Sequence, residues 1–287
     1  MSTWDKHIGV IELLCEDLAA GRAFYTDVFG LTPEMEDETS VAFVLGQLLV
    51  ILNDLPSGQE LIEPVPVAPP EAGSRKCFTI GVADVDAVCA ELEAKGVPLV
   101  SGPVNRRWGK RTANFADPGG HLYEIAGPIL ARAEAPDGHA AGWDRETGWD
   151  RETGWDRETG WDREIGVVEL FYDDLAAAKA FYTGVFGLAV DREDDTSVSF
   201  LMGDLVVILL GPDGARELIA PVPVARQDDG ARMCFTIMVQ DLDAVCDELT
   251  AKGVTLLAGP SVRPWGPYAA YVADPGGHIY ELAEDRD

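Results

Sequence analysis

The chain has 287 residues and a formal net charge of −28 at pH 7, which excludes several classes of partner. A field of this sign repels nucleic acid and anionic membrane surfaces, and it weakly favours neutral or cationic ligands. The sequence lacks the run of roughly 18 apolar residues that a membrane helix needs, and none of its five cysteines lies in a CxxC pair. We therefore expect a reduced, cytoplasmic protein with neither a membrane span nor a signal peptide.

The first half is predicted to use one plan of elements twice. Ile8 to Cys15 is an alternating, apolar run that predicts a strand. Asp17 then caps a helix that Gly30 ends. A proline-rich crossing, Pro64–Pro70, comes later and cannot be a central strand. Three short strands are predicted between the helix and the crossing, at Thr32–Glu36, Ser40–Leu45 and Leu48–Asn53.

The plan then restarts with a strand at Cys77–Val82 and a helix that Asp84 caps and Gly96 ends. The second half of the chain repeats both runs, from Ile165 to Ala283. The fold class is therefore α+β, with strand-helix-strand-strand-strand occurring four times. The strands that complete the second run of the first half are predicted at Pro98–Val100, Lys110–Ala116 and His121–Ala126.

The two halves are copies of each other. When each residue is placed over the one 157 positions later, Glu124 falls on Glu281, and about three-fifths of the aligned positions are identical. A period of this length indicates duplication of a whole domain. We predict domain 1 at residues 1–127, a linker at 128–160 and domain 2 at 161–287. The linker repeats Gly-Trp-Asp-Arg-Glu-Thr and is interpreted as a tether, with a tryptophan-bearing interaction array as the alternative.

Two motifs in each copy resemble those of a known family. An early Asp-Leu-Ala-Ala is followed by Ala-Phe-Tyr-Thr, and each copy ends in Asp-Pro-Gly-Gly-His-x-Tyr-Glu. This order resembles the vicinal oxygen chelate (VOC) superfamily of glyoxalase I, extradiol dioxygenases, fosfomycin-resistance enzymes and bleomycin-resistance proteins. The resemblance implies two tandem VOC domains, each a pair of βαβββ modules forming curled mixed sheets around a cavity. It also implies a monomer arranged as an intramolecular pseudo-dimer, but it does not specify an activity.

The resemblance also bears on metal binding. Metal-using members carry His or Gln seven residues before each capping Asp, together with the late Glu. Here the late glutamates Glu124 and Glu281 are kept, but this set is short of the three or four ligands that zinc or iron requires. We therefore expect no metal cofactor; the alternative is a hard divalent cation on Glu12, Glu124, Glu169 and Glu281. The four positions of the missing ligands hold Val10, Val167, Cys77 and Cys234.

Each curled sheet is expected to form a cavity that binds a small molecule. Carboxylates beside a large aromatic residue suit a planar, cationic ligand, although core packing is an equal alternative for each tryptophan. In the drug-binding relatives the cavities lie where two domains meet, which would place Glu12 against Glu281 and Glu169 against Glu124. Close carboxylate pairs of this kind raise one pKa in each pair. The predicted lining residues are Glu12, Leu14, Trp108 and Glu124 in one copy, and Glu169, Phe171, Trp265 and Glu281 in the other.

The leading functional hypothesis is a metal-independent protein that sequesters an aromatic or cationic small molecule, as bleomycin-resistance proteins do. One alternative is a metal-dependent, glyoxalase-like or dioxygenase-like enzyme with a carboxylate-rich site. Another is a metal-free lyase or isomerase that uses the paired glutamates as acid and base. The copies differ at some positions, since Leu210 replaces Asn53 and Tyr268 replaces Arg111. The sequence therefore leaves open whether both cavities work and whether the domains exchange strands.

Overall fold

The computed structural model describes residues 4, 6–129, 161–263 and 267–286. Most of the predicted linker and Trp265 lie outside these residues, so the tether and this tryptophan stay predictions, as do the domain boundaries. No helix among the described residues is both long enough and apolar enough to cross a membrane.

The first half contains eight strands and three helices. The capping aspartates act as predicted, because the Asp17 and Asp84 side chains accept hydrogen bonds from the backbone N–H groups of Ala20 and Ala87. The elements are β1 (Val10–Cys15), α1 (Leu18–Asp27), β2 (Met35–Glu36), β3 (Ser40–Leu45), β4 (Leu48–Asp54), α2 (Leu55–Ile62), β5 (Lys76–Val82), α3 (Val85–Ala94), β6 (Leu99–Asn105), β7 (Lys110–Ala116) and β8 (Leu122–Pro128).

The second half repeats this series. Its helices begin after Asp174 and Asp241, whose side chains cap α4 and α6 in the same way. The elements are β9 (Trp161–Phe171), α4 (Leu175–Gly184), β10 (Arg192–Glu193), β11 (Ser197–Met202), β12 (Leu205–Leu210), α5 (Pro212–Ile219), β13 (Met233–Met238), α6 (Leu242–Ala251), β14 (Leu256–Val262), β15 (Tyr268–Ala273) and β16 (Ile279–Glu284).

The strands form two mixed eight-stranded sheets, and each sheet draws on both halves of the chain. The first sheet has the order β14-β15-β16-β13-β1-β4-β3-β2, and the second has the order β10-β11-β12-β9-β5-β8-β7-β6. The joints are antiparallel: Glu12 on β1 lies opposite Cys234 on β13, and Glu169 on β9 lies opposite Cys77 on β5. The duplicated α+β fold is confirmed, and the halves do exchange modules.

One face of each sheet packs on the four long helices in a shared core. Alternation along β1 sends Ile11 and Leu13 into this core, whereas Leu14 lies on the opposite face. The core also crosses between sheets, since the ring of Phe24 on α1 lies 6.3 Å from that of Phe115 on β7. We call the other face of each sheet its site face. In the first sheet it carries Glu12, Leu14, Cys234 and Tyr271, and in the second Glu169, Phe171, Cys77 and Asn114.

Helices α2 and α5 cover the site faces, and the sequence analysis did not predict them. On α2, Leu61 and Ile62 pack with Leu14, and a Cβ at Gly58 would lie 2.3 Å from Leu14 Cγ. On α5, Leu218 and Ile219 pack with Phe171 in the same way. Each site face is therefore covered by the apolar side of a short helix that follows the fourth strand of its module.

Candidate functional site

The first candidate site joins two glutamates from opposite halves of the chain. Glu12 on β1 and Glu281 on β16 both approach the hydroxyl of Thr236 on the intervening strand β13. Thr236 Oγ1 lies 3.3 Å from Glu12 Oε1 and 2.8 Å from Glu281 Oε2. We call this the Glu12–Glu281 site.

Two further side chains complete the Glu12–Glu281 site. Asn53 on β4 donates from Nδ2 to Glu12 Oε2 at 2.9 Å. The Tyr271 hydroxyl on β15 donates to Glu281 Oε1. Each of the four carboxylate oxygens therefore has a polar partner from the chain itself.

The second candidate site repeats the bridge in the other sheet. Thr79 Oγ1 on β5 lies 2.8 Å from Glu169 Oε1 and 3.2 Å from Glu124 Oε2. Glu124 and Glu169 are only 3% and 6% exposed. Their remaining oxygens, Glu124 Oε1 and Glu169 Oε2, are buried without a hydrogen-bond partner among the described residues. We call this the Glu124–Glu169 site.

The bridging threonines set the protonation of each pair. A threonine hydroxyl has one hydrogen, so Thr79 can donate to only one of the two carboxyl groups that it contacts. The other carboxyl group must carry a proton and donate to Thr79 for both contacts to be hydrogen bonds. The same count applies to Thr236. Each pair is therefore best satisfied when it holds one proton.

Burial acts on the pKa values in the same direction. Burial, together with the adjacent Glu281 carboxylate, raises the pKa of Glu12 to about 8. Burial also raises the pKa of Glu124 to about 7, although Thr112, Arg106 and Thr79 partly oppose the rise. Burial and the neighbouring Glu124 charge raise the pKa of Glu169 well above its ordinary range. Glu12 and Glu124 are thus tuned to change protonation near neutral pH, whereas the pKa of Glu169 is raised in the same direction.

Helix α5 is held over the Glu124–Glu169 site by polar side chains of the sheet. Arg106 donates from Nη1 to the carbonyl of Glu217 at 2.9 Å and from Nη2 to that of Leu218 at 3.2 Å. Asn114 Nδ2 also donates to the Leu218 carbonyl at 3.2 Å. The last carbonyls of α5 are thereby satisfied, which fixes the helix over the carboxylates.

The predicted lining residues divide between the two sites. Leu14 shares a site face with Glu12 and Glu281, and Phe171 shares one with Glu124 and Glu169. The pairing across halves is the arrangement that the resemblance implied. Trp108 is 44% exposed in the β6–β7 loop, with the Arg106 guanidinium 5.4 Å from its ring centre, so it stands outside the buried pair.

The two sites offer few donors for a metal ion. No group of three or more His, Cys, Asp or Glu side chains placed to hold a metal ion occurs among the described residues. Each site supplies two carboxylates and a threonine hydroxyl, which falls short of the nitrogen- and sulphur-rich sets typical of zinc or iron. The residues present therefore do not fit a tightly held transition metal.

His121 and His278 do not reach the carboxylate pairs. His121 is 1% exposed and donates from Nε2 to the carbonyl of Leu14 at 3.1 Å. Its Nδ1 accepts from the buried Lys76 ammonium, also at 3.1 Å. Burial and the Lys76 charge lower the pKa of His121 well below its ordinary range, so the ring is neutral. Both histidines are buried structural groups rather than members of the carboxylate pairs.

The fold and the paired acidic sites define a duplicated α+β protein whose modules are exchanged between its halves. The model of the Glyoxalase/Bleomycin resistance protein/Dioxygenase superfamily matches residues 7–125 and 164–282, and the chain belongs to this superfamily. The predicted resemblance is thereby confirmed.

Solved structures show the same fold. Glyoxalase I from Zea mays is 17% identical with a TM-score of 0.64, and the alignment covers 97% of this chain and 92% of that one. A Bacillus subtilis protein provisionally assigned as a dioxygenase is 15% identical with a TM-score of 0.60, covering 100% of this chain and 87% of that one. At these identities the likeness establishes the fold alone. No curated protein matches the sequence.

Sequence reasoning missed four polar residues of the sites. Thr79 and Thr236 lie two residues after Cys77 and Cys234, so strand alternation alone could have placed them on the same face. Asn53 was visible only as a difference between the copies. Tyr271 could not be predicted, because its contact with Glu281 depends on which strands pair, and periodicity does not specify the pairing of strands.

Proposed function

We propose that the protein binds a small molecule at its buried carboxylates without a metal ion, as a sequestering protein of the bleomycin-resistance type. The observation that carries this proposal is that the four paired glutamates form no salt bridge to any described residue, although Glu124, Glu169 and Glu281 are buried and Glu12 is half-buried. Buried carboxylates are costly unless cations or hydrogen-bond donors face them. A ligand with a protonated amine or several N–H and O–H groups supplies both.

Sequestration also suits the enclosure of the sites. The covering helices exclude water, which strengthens charge pairing and hydrogen bonding inside. An exposed tryptophan beside Arg106, at the edge of the Glu124–Glu169 site, offers a stacking surface for an aromatic part of the ligand. Capture needs affinity alone, so the departures from the ligand pattern of metal-using relatives do not weaken it.

The test is calorimetric titration of the full chain with a panel of cationic aromatic drugs, including a bleomycin and an anthracycline, in buffer with EDTA. We expect heat for at least one compound, and a loss of affinity in Glu124→Gln, Glu169→Gln or both. Glu71→Gln is the matched control, because Glu71 is an exposed acid that belongs to neither pair. Absence of heat for every compound, or binding only when a divalent metal is restored, would overturn the proposal.

A metal-free isomerase or lyase is the second candidate, and the shared proton favours it. A carboxyl pair that holds one proton, with the pKa of Glu124 at about 7, can both donate and accept a proton near neutral pH. Such an enzyme would lose turnover on both sides of neutrality with any substrate it accepts. A rate that stays flat from pH 5 to pH 9 would exclude it.

A further inference from the structure

We infer that ligand binding belongs to the Glu124–Glu169 site alone, and that the ligand is a hydroxy-aromatic compound carrying an amide or amine. It would donate there the two hydrogen bonds that Tyr271 and Asn53 donate in the Glu12–Glu281 site. This inference rests on the proposed function, because it assigns that function to one site and names the class of ligand.

The Glu12–Glu281 site is already satisfied by the chain. Its four carboxylate oxygens meet the Asn53 amide, the Thr236 hydroxyl twice and the Tyr271 hydroxyl. A ligand would have to displace one of these side chains and reproduce its hydrogen bond. Displacing a satisfied partner brings no net gain in hydrogen bonding, so this site has little to offer a ligand.

The Glu124–Glu169 site lacks the equivalents of the two outer donors, Asn53 and Tyr271. Only the inner oxygens, Glu124 Oε2 and Glu169 Oε1, meet the Thr79 hydroxyl. The outer oxygens, Glu124 Oε1 and Glu169 Oε2, are buried and have no partner among the described residues. Buried polar atoms in native proteins are nearly always paired, so an orphaned pair in one site marks the place of absent donors.

Two substitutions between the copies remove these donors, and a third places the Thr112 hydroxyl, which accepts from Arg106, beside Glu124 where the other copy has Ala269. Leu210 stands where Asn53 stands, so no amide reaches Glu169. Asn114 stands where Tyr271 stands, and its amide donates to the Leu218 carbonyl of α5 instead of to Glu124. The strand positions correspond, since Asn114 lies opposite Glu124 in the same register as Tyr271 opposite Glu281. The two donor side chains are therefore lost, whereas the strand pairing that holds the carboxylate facing them is kept.

The donors of the Glu12–Glu281 site indicate which groups a ligand of the Glu124–Glu169 site would carry. A phenol hydroxyl reaches one carboxylate, and a planar amide N–H reaches the other across the threonine bridge. Replacing a tyrosine by the smaller asparagine also removes an aromatic ring from this position of the site face. A hydroxy-aromatic group fits the missing ring and hydroxyl, and an amide or protonated amine fits the missing Nδ2 donor.

The experiment is titration calorimetry of the full chain with tyrosinamide and tyramine as probes, and with phenethylamine, which lacks the phenol, as the matched control. We expect one probe molecule bound per chain and about tenfold weaker binding of phenethylamine, as for the loss of one hydrogen bond to a charged group. Glu124→Gln and Glu169→Gln should each weaken tyramine by about tenfold or more, and Glu281→Gln by less than about twofold.

Exchange of the distinguishing residues provides the second measurement. Asn114→Tyr with Leu210→Asn should abolish probe binding, because the chain then supplies its own donors. Tyr271→Asn with Asn53→Leu should raise the number of bound probes from one to two. Thermal unfolding of each variant establishes that it is folded; where an exchanged variant does not fold, the single Gln variants decide.

The outcomes separate this inference from the proposed function. Two tyramine molecules per wild-type chain, or equal losses in Glu281→Gln and Glu124→Gln, would overturn the single-site inference while small-molecule binding stands. Equal affinity for tyramine and phenethylamine, or binding of the cationic drugs but of neither probe, would overturn the ligand class. Failure of every probe and every drug would overturn both.

Discussion

The two halves bury the same Asp-Pro-Gly-Gly-His turn, yet different side chains contact its histidine. In the first half, His121 is a neutral ring that accepts from Lys76, and burial lowers the pKa of Lys76 to about 8. In the second half, both nitrogens of His278 face oxygen acceptors, the Asp274 carboxylate and the Arg75 carbonyl.

The residues around the turns explain this difference. Met233 replaces Lys76, and Tyr172 replaces Cys15 and donates to Asp274. Burial alone would raise the pKa of Asp274, but His278 lowers it below its ordinary value. In the first half, burial raises the pKa of Asp117 to about 6 despite the opposing effect of Lys76. A shared backbone frame thus tolerates either a buried lysine or a hydrogen-bonded histidine beside the aspartate.

The largest expected effect concerns two buried arginines that occupy equivalent positions in the two halves. Arg232 is nearly buried and donates to the carbonyls of Ala68, Leu14 and Gly119. Its counterpart Arg75 donates to Ala225 and Phe171. Because several buried carbonyls lose their donor at once, Arg232→Ala and Arg75→Ala should each lower the free energy of unfolding by about 3–5 kcal/mol in urea titrations.

Equal losses in these two variants would support a common frame. A loss below about 1 kcal/mol in either one, within the range of surface substitutions, would show that the halves are held together differently.

The next effect sharpens the comparison between the carboxylate pairs. Folded Glu124 keeps a proton up to about pH 7, whereas its ordinary pKa is 4.5. The stability contributed by the protonated acid is therefore present below about pH 4.5 and is lost as the pH rises through about 7. Glu124→Gln, which imitates the protonated acid, should stabilise the protein by about 2–3 kcal/mol at pH 8.5 and change little at pH 4.5.

Thermal unfolding of wild type and Glu124→Gln across this pH range measures the effect. Because the folded pKa of Glu12 is higher, at about 8, the corresponding loss in wild type should extend further into the alkaline range. If the stabilities of Glu124→Gln and wild type changed with pH by the same amount, this would contradict a protonated Glu124 in the folded state.

A smaller effect is expected from moving the buried charge in the first half. In Cys15→Tyr with Lys76→Met, the turn acquires the residues of the second half. His121 should then bind the proton itself, so the free energy of unfolding at pH 7 should change by no more than about 1 kcal/mol. Nitrogen-15 NMR of the His121 ring reports the change from a neutral to a doubly protonated ring directly.

The pH dependence of this variant provides a second check. Folded wild type releases the Lys76 proton near pH 8, whereas the unfolded chain keeps it to about 10.5. Because the unfolded state then binds more protons, wild type should gain stability between these values. The variant should lack this gain, and a neutral His121 ring in it would contradict the expected transfer of the proton from Lys76 to His121.

The smallest effect concerns the hold on α5. Arg107 forms an exposed ion pair with Glu217 at 3.1 Å, and the other half has Pro264 at the corresponding position. Arg107→Ala should cost at most about 0.5 kcal/mol, and this cost should vanish in high salt. A loss as large as that of the buried Arg232→Ala would contradict the assignment of this pair to the surface.

The sequence predicted the repeating frame well because its signals are local. Asp17 and Asp84 act through neighbouring backbone groups, and β3 begins and ends as predicted. Helix α2 was missed because it has only eight residues and contains Gly58, although Asp54 caps it and proline stands in its first turn. Gly58 is needed there for close packing on Leu14.

The site was only partly predictable. The exchange of modules and the pairing of Glu12 with Glu281 depend on which strands join across halves, and only the family resemblance pointed to it. Differences between the copies gave mixed guidance: Asn53 lies in the site, but Arg111 binds Asp86 on the surface at 2.6 Å. The outer oxygens of Glu124 and Glu169 lack a partner because no described side chain donates to them in the folded chain. A local sequence pattern does not contain this information.

Each sheet is built from the first module of one half and the second module of the other. If two identical chains associated in this manner, every change would appear in both sites at once. Joining the copies in one polypeptide lifts that constraint, so one site can give up its donors while its twin keeps them. Covalent fusion is thus what allows Asn53 and Leu210 to occupy equivalent positions in a single molecule.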